Sequence, residues 1–201
     1  PTARELASLF EPSYKEPKDF NIRTRELNQE KFKVAISFAK AMGYERLLRE
    51  SVAEFGLPKG FSSFENFQTF AFTLFYVESR FSPHVTSHAR AMGLAQFIPG
   101  TARIELGRKY RDSKGEYNTY RPKFAIRAFV KHIHRLTNLF EDYHQNTYVL
   151  WHLIAKSYNA GYGVTRMLML RYGSKDPSLW GAKTAKYHRN HRRCRRERIR
   201  W

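Results

Sequence analysis

Glu78 closes an apolar run, Phe70-Ala-Phe-Thr-Leu-Phe-Tyr-Val77, and is followed by a polar segment punctuated by Pro83, Gly93 and Pro99. A carboxyl group set among apolar neighbours has its pKa raised and keeps its proton near neutrality, as a general acid must. Such a group, followed by a polar loop, suits protonation of a glycosidic oxygen. Most glycosidases use two carboxylates, about 5–5.5 Å apart for retention or about 6.5–9.5 Å apart for inversion of the sugar. Between Glu78 and Glu105 the chain has no Asp or Glu, so a second carboxylate does not lie in this segment. The plainer reading of Glu78 is a helix-end acid paired with Arg80.

The stretch from Glu78 to Ala102 contains Glu-Ser, Phe-x-Pro, Ser87, Ala91-Met-Gly-Leu-Ala-Gln96 and Pro99-Gly-Thr-Ala102 in that order. A second block, Ser157-Tyr158-Asn159-Ala160-Gly161, follows much later. The chain thereby resembles the soluble lytic transglycosylase family, whose goose-lysozyme-like catalytic domains cut peptidoglycan. The resemblance covers roughly residues 44 to 190. It implies an all-α, lysozyme-like fold in which Glu78 serves first as acid and then as base, with no metal and no cofactor. In that chemistry the muramic acid C6 hydroxyl, rather than water, attacks C1 and leaves a 1,6-anhydro end.

By position, Ser87 matches the family serine that contacts sugar substituents; alone it would read as a loop cap. Gly93 and Gln96 match the Gly-Leu-x-Gln element, where glycine admits close backbone approach to the glycan and the amide binds sugar polar groups. Met92 and Ile98 are expected to wall the substrate cleft. Tyr158 is expected to bring its hydroxyl beside Glu78, and Asn159 to hold the local turn or a sugar amide. Against the family pattern, Arg90 stands where glycine is usual, Val85 and Ala125 replace an alanine and an asparagine, and Lys183 replaces a glutamate.

The elements that must position these groups are helical. Phe32, Ala35, Ile36 and Ala39, then Tyr44, Leu47, Leu48, Val52 and Phe55, fall at helical spacing interrupted near Gly43. Ser62 with Glu65 reads as a capping box opening a helix that runs to about Ser79. Residues 80–92 read as a loop and Pro99 to about Tyr110 as a short helix. Residues 111–121 form a polar insertion with room for one short hairpin. Helices are predicted over Pro122 to Phe140, Thr147 to Asn159 and Val164 to Arg171. The organisation expected is an arm over 1–28, a catalytic domain over 29–188 and a basic tail over 189–201.

The 201 residues carry 36 Lys and Arg against 18 Asp and Glu, a formal charge of +18. Such a protein is drawn to polyanions, though charge alone cannot choose among them. From Lys183 to Trp201, nine basic residues face one acid, Glu197. That tail is expected to hold an anionic wall or membrane surface. Cys194, the chain's one cysteine, excludes an internal disulfide and a cysteine-based zinc cluster. His84 and His88 are spaced four apart but lack a third ligand. The longest apolar run falls short of the roughly 20 residues a bilayer span needs. Numbering opens at Pro1, so a missing leader does not argue for the cytoplasm; export to the periplasm or cell envelope is inferred from the expected substrate, peptidoglycan glycan strands.

Two other readings stand beside the transglycosylase. One is a hydrolase of the same fold using water, as goose-type lysozymes do. The other is a basic protein that binds nucleic acid or another polyanion, disfavoured because it leaves both motif blocks unexplained.

Overall fold

In the computed structural model of the chain, residues 22–143 and 147–172 are described. Among them are seven α-helices and no strand: α1 (Ile22–Ala41), α2 (Tyr44–Phe55), α3 (Phe64–Ser79), α4 (Pro99–Leu106), α5 (Pro122–Leu139), α6 (Thr147–Ala160) and α7 (Tyr162–Tyr172). The expected all-α fold is therefore the one observed. The basic tail, Lys183, Cys194 and Trp201 lie outside the described residues.

α3 is buried on nearly every side, with Phe67, Phe70, Phe72, Leu74 and Phe75 almost wholly inaccessible. A helix apolar all round belongs in the centre, and the others wrap it. Phe75 meets Phe129 of α5 edge-on at 4.7 Å. Phe61, just ahead of α3, stacks on Trp151 of α6 at 5.1 Å, and the Trp151 indole donates to the Gly60 carbonyl at 3.0 Å. Burying each such ring stabilises the fold by roughly 1.5–3 kcal/mol. The helix that carries Glu78 is thus firmly anchored in the core.

The start of α3 differs from the expected capping box. Ser63, not Ser62, is the N-cap, and its hydroxyl accepts from the Asn66 N–H at 3.2 Å. Glu65 does not reach back; it is exposed and faces Arg49 at 3.8 Å. Asn66 bonds the Ser62 hydroxyl through its amide, so neighbouring serines divide the capping work. α1 begins at Ile22, well ahead of the residue at which its apolar spacing becomes legible.

The insertion at 111–121 does fold back on itself. Arg111 pairs with Tyr117 in an isolated antiparallel bridge. Asp112 fixes the turn, its carboxylate accepting the Lys114 and Glu116 N–H groups at 2.9 Å each.

Candidate active site

α3 ends in an unusual way directly after Glu78. Arg80 and Phe81 both adopt left-handed backbone, at φ 54° and 60°. Each costs about 1–2 kcal/mol for an L-residue. Phe81 is held there by burial of its ring against Phe72 and Tyr76, which offsets the strain. The Arg80 and Phe81 N–H groups return to the carbonyls of Tyr76 and Phe75. Arg80 lays its guanidinium over the Tyr76 ring at 4.2 Å and does not pair with Glu78.

Glu78 is left half-buried, with no hydrogen bond or ion pair to any described residue. Burial without compensation pushes its carboxyl up to about 7. The chain has put an acid where about half of it holds its proton at neutral pH.

The loop facing this acid is assembled from the expected motif residues, largely by bonds among themselves. Ser79, next to Glu78, is buried and its hydroxyl reaches both the Phe75 carbonyl at 3.0 Å and the Leu94 carbonyl at 2.8 Å. It ties the end of α3 to the Gly93–Gln96 turn, a role sequence reasoning missed. Ser87 closes a short loop: its N–H donates to the Ala91 carbonyl at 2.9 Å, and its hydroxyl accepts the Ala91 N–H at 3.1 Å. The capping role is real, and the hydroxyl proton remains available to a ligand.

Gln96, at φ 48°, donates its amide to the carbonyls of Gly93 at 2.8 Å and Val85 at 3.2 Å, and its amide oxygen has no partner among the described residues. Gly93 sits at φ +73°, and a Cβ there would meet the Thr119 carbonyl oxygen at 2.0 Å. The close approach that demands glycine is thus to the protein's own 118–120 turn. Met92 is buried and accepts a weak bond from the Thr119 hydroxyl at 3.8 Å, so it belongs to the packing beneath the loop. Ile98, half exposed, precedes α4 and remains open to a ligand.

Arg90, standing where glycine is usual, keeps a glycine's conformation at φ 62°. Arg90→Gly relieves about 1–2 kcal/mol of strain and returns about 0.4–1 kcal/mol through greater freedom of the unfolded chain. A net gain of about 0.5–1 kcal/mol in urea unfolding is expected; a loss would show that Arg90 makes a stabilising contact.

Tyr158, near the end of α6, is close enough to Glu78 to feel its charge. Burial raises its hydroxyl well above the usual phenol range, and the Glu78 charge adds to the rise. The hydroxyl does not bond Glu78 directly but donates to the Ala95 carbonyl at 2.5 Å. Its ring packs on Phe97, Phe129 and His132 at 5.6–5.9 Å. Asn159 is exposed with no described partner; the turn after α6 is made instead by Gly161, at φ +88°, whose N–H bonds the Ser157 carbonyl.

Behind Tyr158 lies a group that no local pattern announces. Glu105 is buried, bonded to His132 at 3.0 Å and to Arg135 at 2.9 Å. Burial opposes its ionisation, but those two partners prevail and hold it below the usual carboxylate range. Glu105 is therefore a paired structural anion, unlike Glu78. Among the described residues no group of three or more His, Cys, Asp or Glu could hold a metal ion.

Residues 62–180 match the model of the Transglycosylase SLT domain, which spans the helix of Glu78, the motif loop and the Tyr158 block. The chain belongs to the SLT domain family. A Haemophilus influenzae protein provisionally named a soluble lytic murein transglycosylase is similar to it, 30% identical over 145 residues. That match takes in 67% of this chain but 22% of the relative, so the chain spans about a fifth of the relative's length. No solved structure matches the chain significantly. SLT membership accounts for the lysozyme-like arrangement of helices around α3.

Proposed function

We propose that this SLT domain is a peptidoglycan lytic transglycosylase in which Glu78 is the single acid and base. The observation that carries this reading is the uncompensated, half-buried carboxyl of Glu78, held near 7, inside the family's motif. Protonated Glu78 donates to the oxygen linking N-acetylmuramic acid to N-acetylglucosamine, and the C1–O bond breaks as the leaving sugar takes that proton. Glu78, now a carboxylate, accepts the proton of the muramic acid C6 hydroxyl as that oxygen bonds to C1. Atoms balance without water, and the product carries a 1,6-anhydro ring.

Ser87 offers its hydroxyl proton and Gln96 its amide oxygen to sugar substituents, Ile98 offers an apolar wall, and Asn159 a free amide. Met92 and Gly93 act beneath them by shaping the loop. Tyr158, committed to the Ala95 carbonyl, supports the loop beside the acid. A wall substrate implies export to the cell envelope, with the basic tail holding an anionic wall or membrane surface.

Digesting purified peptidoglycan and weighing the released muropeptides tests the reading. Products one water lighter than reducing-end muropeptides are expected. Reducing ends would make the protein a hydrolase, and no cleavage would overturn the glycan-cleaving assignment.

A further inference from the structure

Next to the motif loop lies a surface whose chemistry the single-acid mechanism does not use. Tyr120 bonds Thr86, hydroxyl to hydroxyl, at 2.7 Å, and Thr86 immediately precedes Ser87. From Tyr120 an aromatic series continues to Tyr117 at 6.4 Å and Tyr110 at 5.1 Å beyond it. Arg111 lies over the Tyr117 ring at 4.0 Å, its guanidinium fixed by the Gly115 carbonyl at 2.8 Å and by the Tyr117 hydroxyl. Arg103, over Tyr110 at 5.5 Å, adds a second cation at the far end.

Arg111 and Arg103 have no acid partner among the described residues, unlike three arginines close by in the chain. Arg121 has Asp112 at 2.5 Å, and Arg127 and Arg135 have Glu54 and Glu105. Arg111 is held by neutral groups alone, and among the described residues no acid pairs with it. Its neighbour Asp112 is occupied by Arg121 and the turn N–H groups. Two of the five guanidinium N–H donors are used internally. The rest present an oriented, uncompensated fork of the kind that suits a carboxylate.

We infer that Arg111, Tyr117 and Tyr120, continuous with Ser87 through Thr86, form a subsite for a carboxylate carried by the glycan strand. This rests on the reading of the site as glycan-cleaving. Half-buried Tyr117 and Tyr120 border the sugar, and Arg111, seated on Tyr117, binds the acidic substituent beside it. In peptidoglycan that carboxylate comes either from the stem peptide or, where the peptide is absent, from the lactyl group of muramic acid.

Calorimetric binding to the Glu78→Gln protein, with and without Arg111→Gln, separates these cases. The ligands are soluble strands bearing stem peptides, strands stripped to the lactyl group, and neutral chitohexaose. Arg111→Gln is expected to weaken binding about tenfold more for a carboxylated strand than for chitohexaose, as loss of one charge-assisted contact implies. Loss on stemmed strands alone assigns the peptide carboxylate, loss on stripped strands alone assigns the lactyl carboxylate, and loss on both assigns a subsite that takes either. Equal loss on all three ligands, or none, overturns the inference. Arg111→Lys should fall between the two and guards against a merely misfolded hairpin. Failure of the wild-type protein to cleave peptidoglycan would sink the functional reading instead, whatever the binding data show.

Discussion

Glu78→Gln is expected to abolish peptidoglycan cleavage and, in the same protein, to raise stability at pH 8. General acid–base assistance is worth roughly 10²–10⁴-fold, and here one residue supplies both halves, so the loss lies at the upper end or beyond. The stability gain follows from the carboxyl's shift from 4.5 unfolded to about 7 folded. Between those values the folded state binds more protons than the unfolded chain, so stability falls as pH rises through that window and then levels off. The full shift corresponds to about 3 kcal/mol, and partial exposure reduces it to about 2 kcal/mol. A neutral amide escapes that penalty. Urea unfolding should therefore favour the variant at pH 8 and hardly distinguish it from wild type below pH 4.5. An identical difference at both pH values would contradict the assignment of Glu78 as an uncompensated buried acid. In the wild type, kcat/KM should decline as pH rises past about 7, where free Glu78 loses its proton.

Gly93→Ala is expected to damage both fold and activity, although it adds one methyl group. The new Cβ would lie 2.0 Å from the Thr119 carbonyl oxygen, 2.8 Å from its carbon and 3.3 Å from the Pro83 carbonyl oxygen. All three are backbone atoms, so no side chain can swing aside. Left-handed backbone adds about 1–2 kcal/mol to an overpacking cost of about 1–3 kcal/mol. A loss of about 3 kcal/mol would lower Tm by roughly 6–12 °C at this chain length. Activity should fall more than tenfold even below that temperature, because Gly93 carries carbonyl and N–H bonds to Gln96 and Val85. Gly100→Ala is the control: nothing lies within 4 Å of its Cβ, and the position is helical. Its Tm should stay level or rise, and a matching loss there would remove the special status of Gly93.

The helices were legible because their apolar residues recur at the helical period, and the central one because its phenylalanines ignore that period and surround it. Glu78 was legible as an acid whose neighbours are apolar. What periodicity does not reveal is where polar side chains bond. Ser87 and Gln96 were expected to face sugar, yet their main observed bonds fix the loop. Gly93 was read as room for substrate, whereas Thr119 fills that room. Ser79 and the Glu105–His132–Arg135 group escaped notice because their partners lie in other elements, separated by distances along the chain that carry no local signature. Arg111 was hidden in what read as a polar insertion, since its lack of an acid partner becomes visible only once Asp112 is seen to be engaged elsewhere.

The bond from Tyr158 to Ala95 joins positions 63 residues apart, and that from Thr86 to Tyr120 spans 34. Contacts of such separation form slowly, after local helices, because the intervening loop entropy must be lost first. During its own synthesis the chain can thus make most of its helices long before Tyr158 has been polymerised. The site lacks Tyr158 until α6 docks, so a nascent copy holds Glu78 without its completed surroundings. Under the proposed function, topology in this way withholds wall cleavage until the chain is long enough to complete the site.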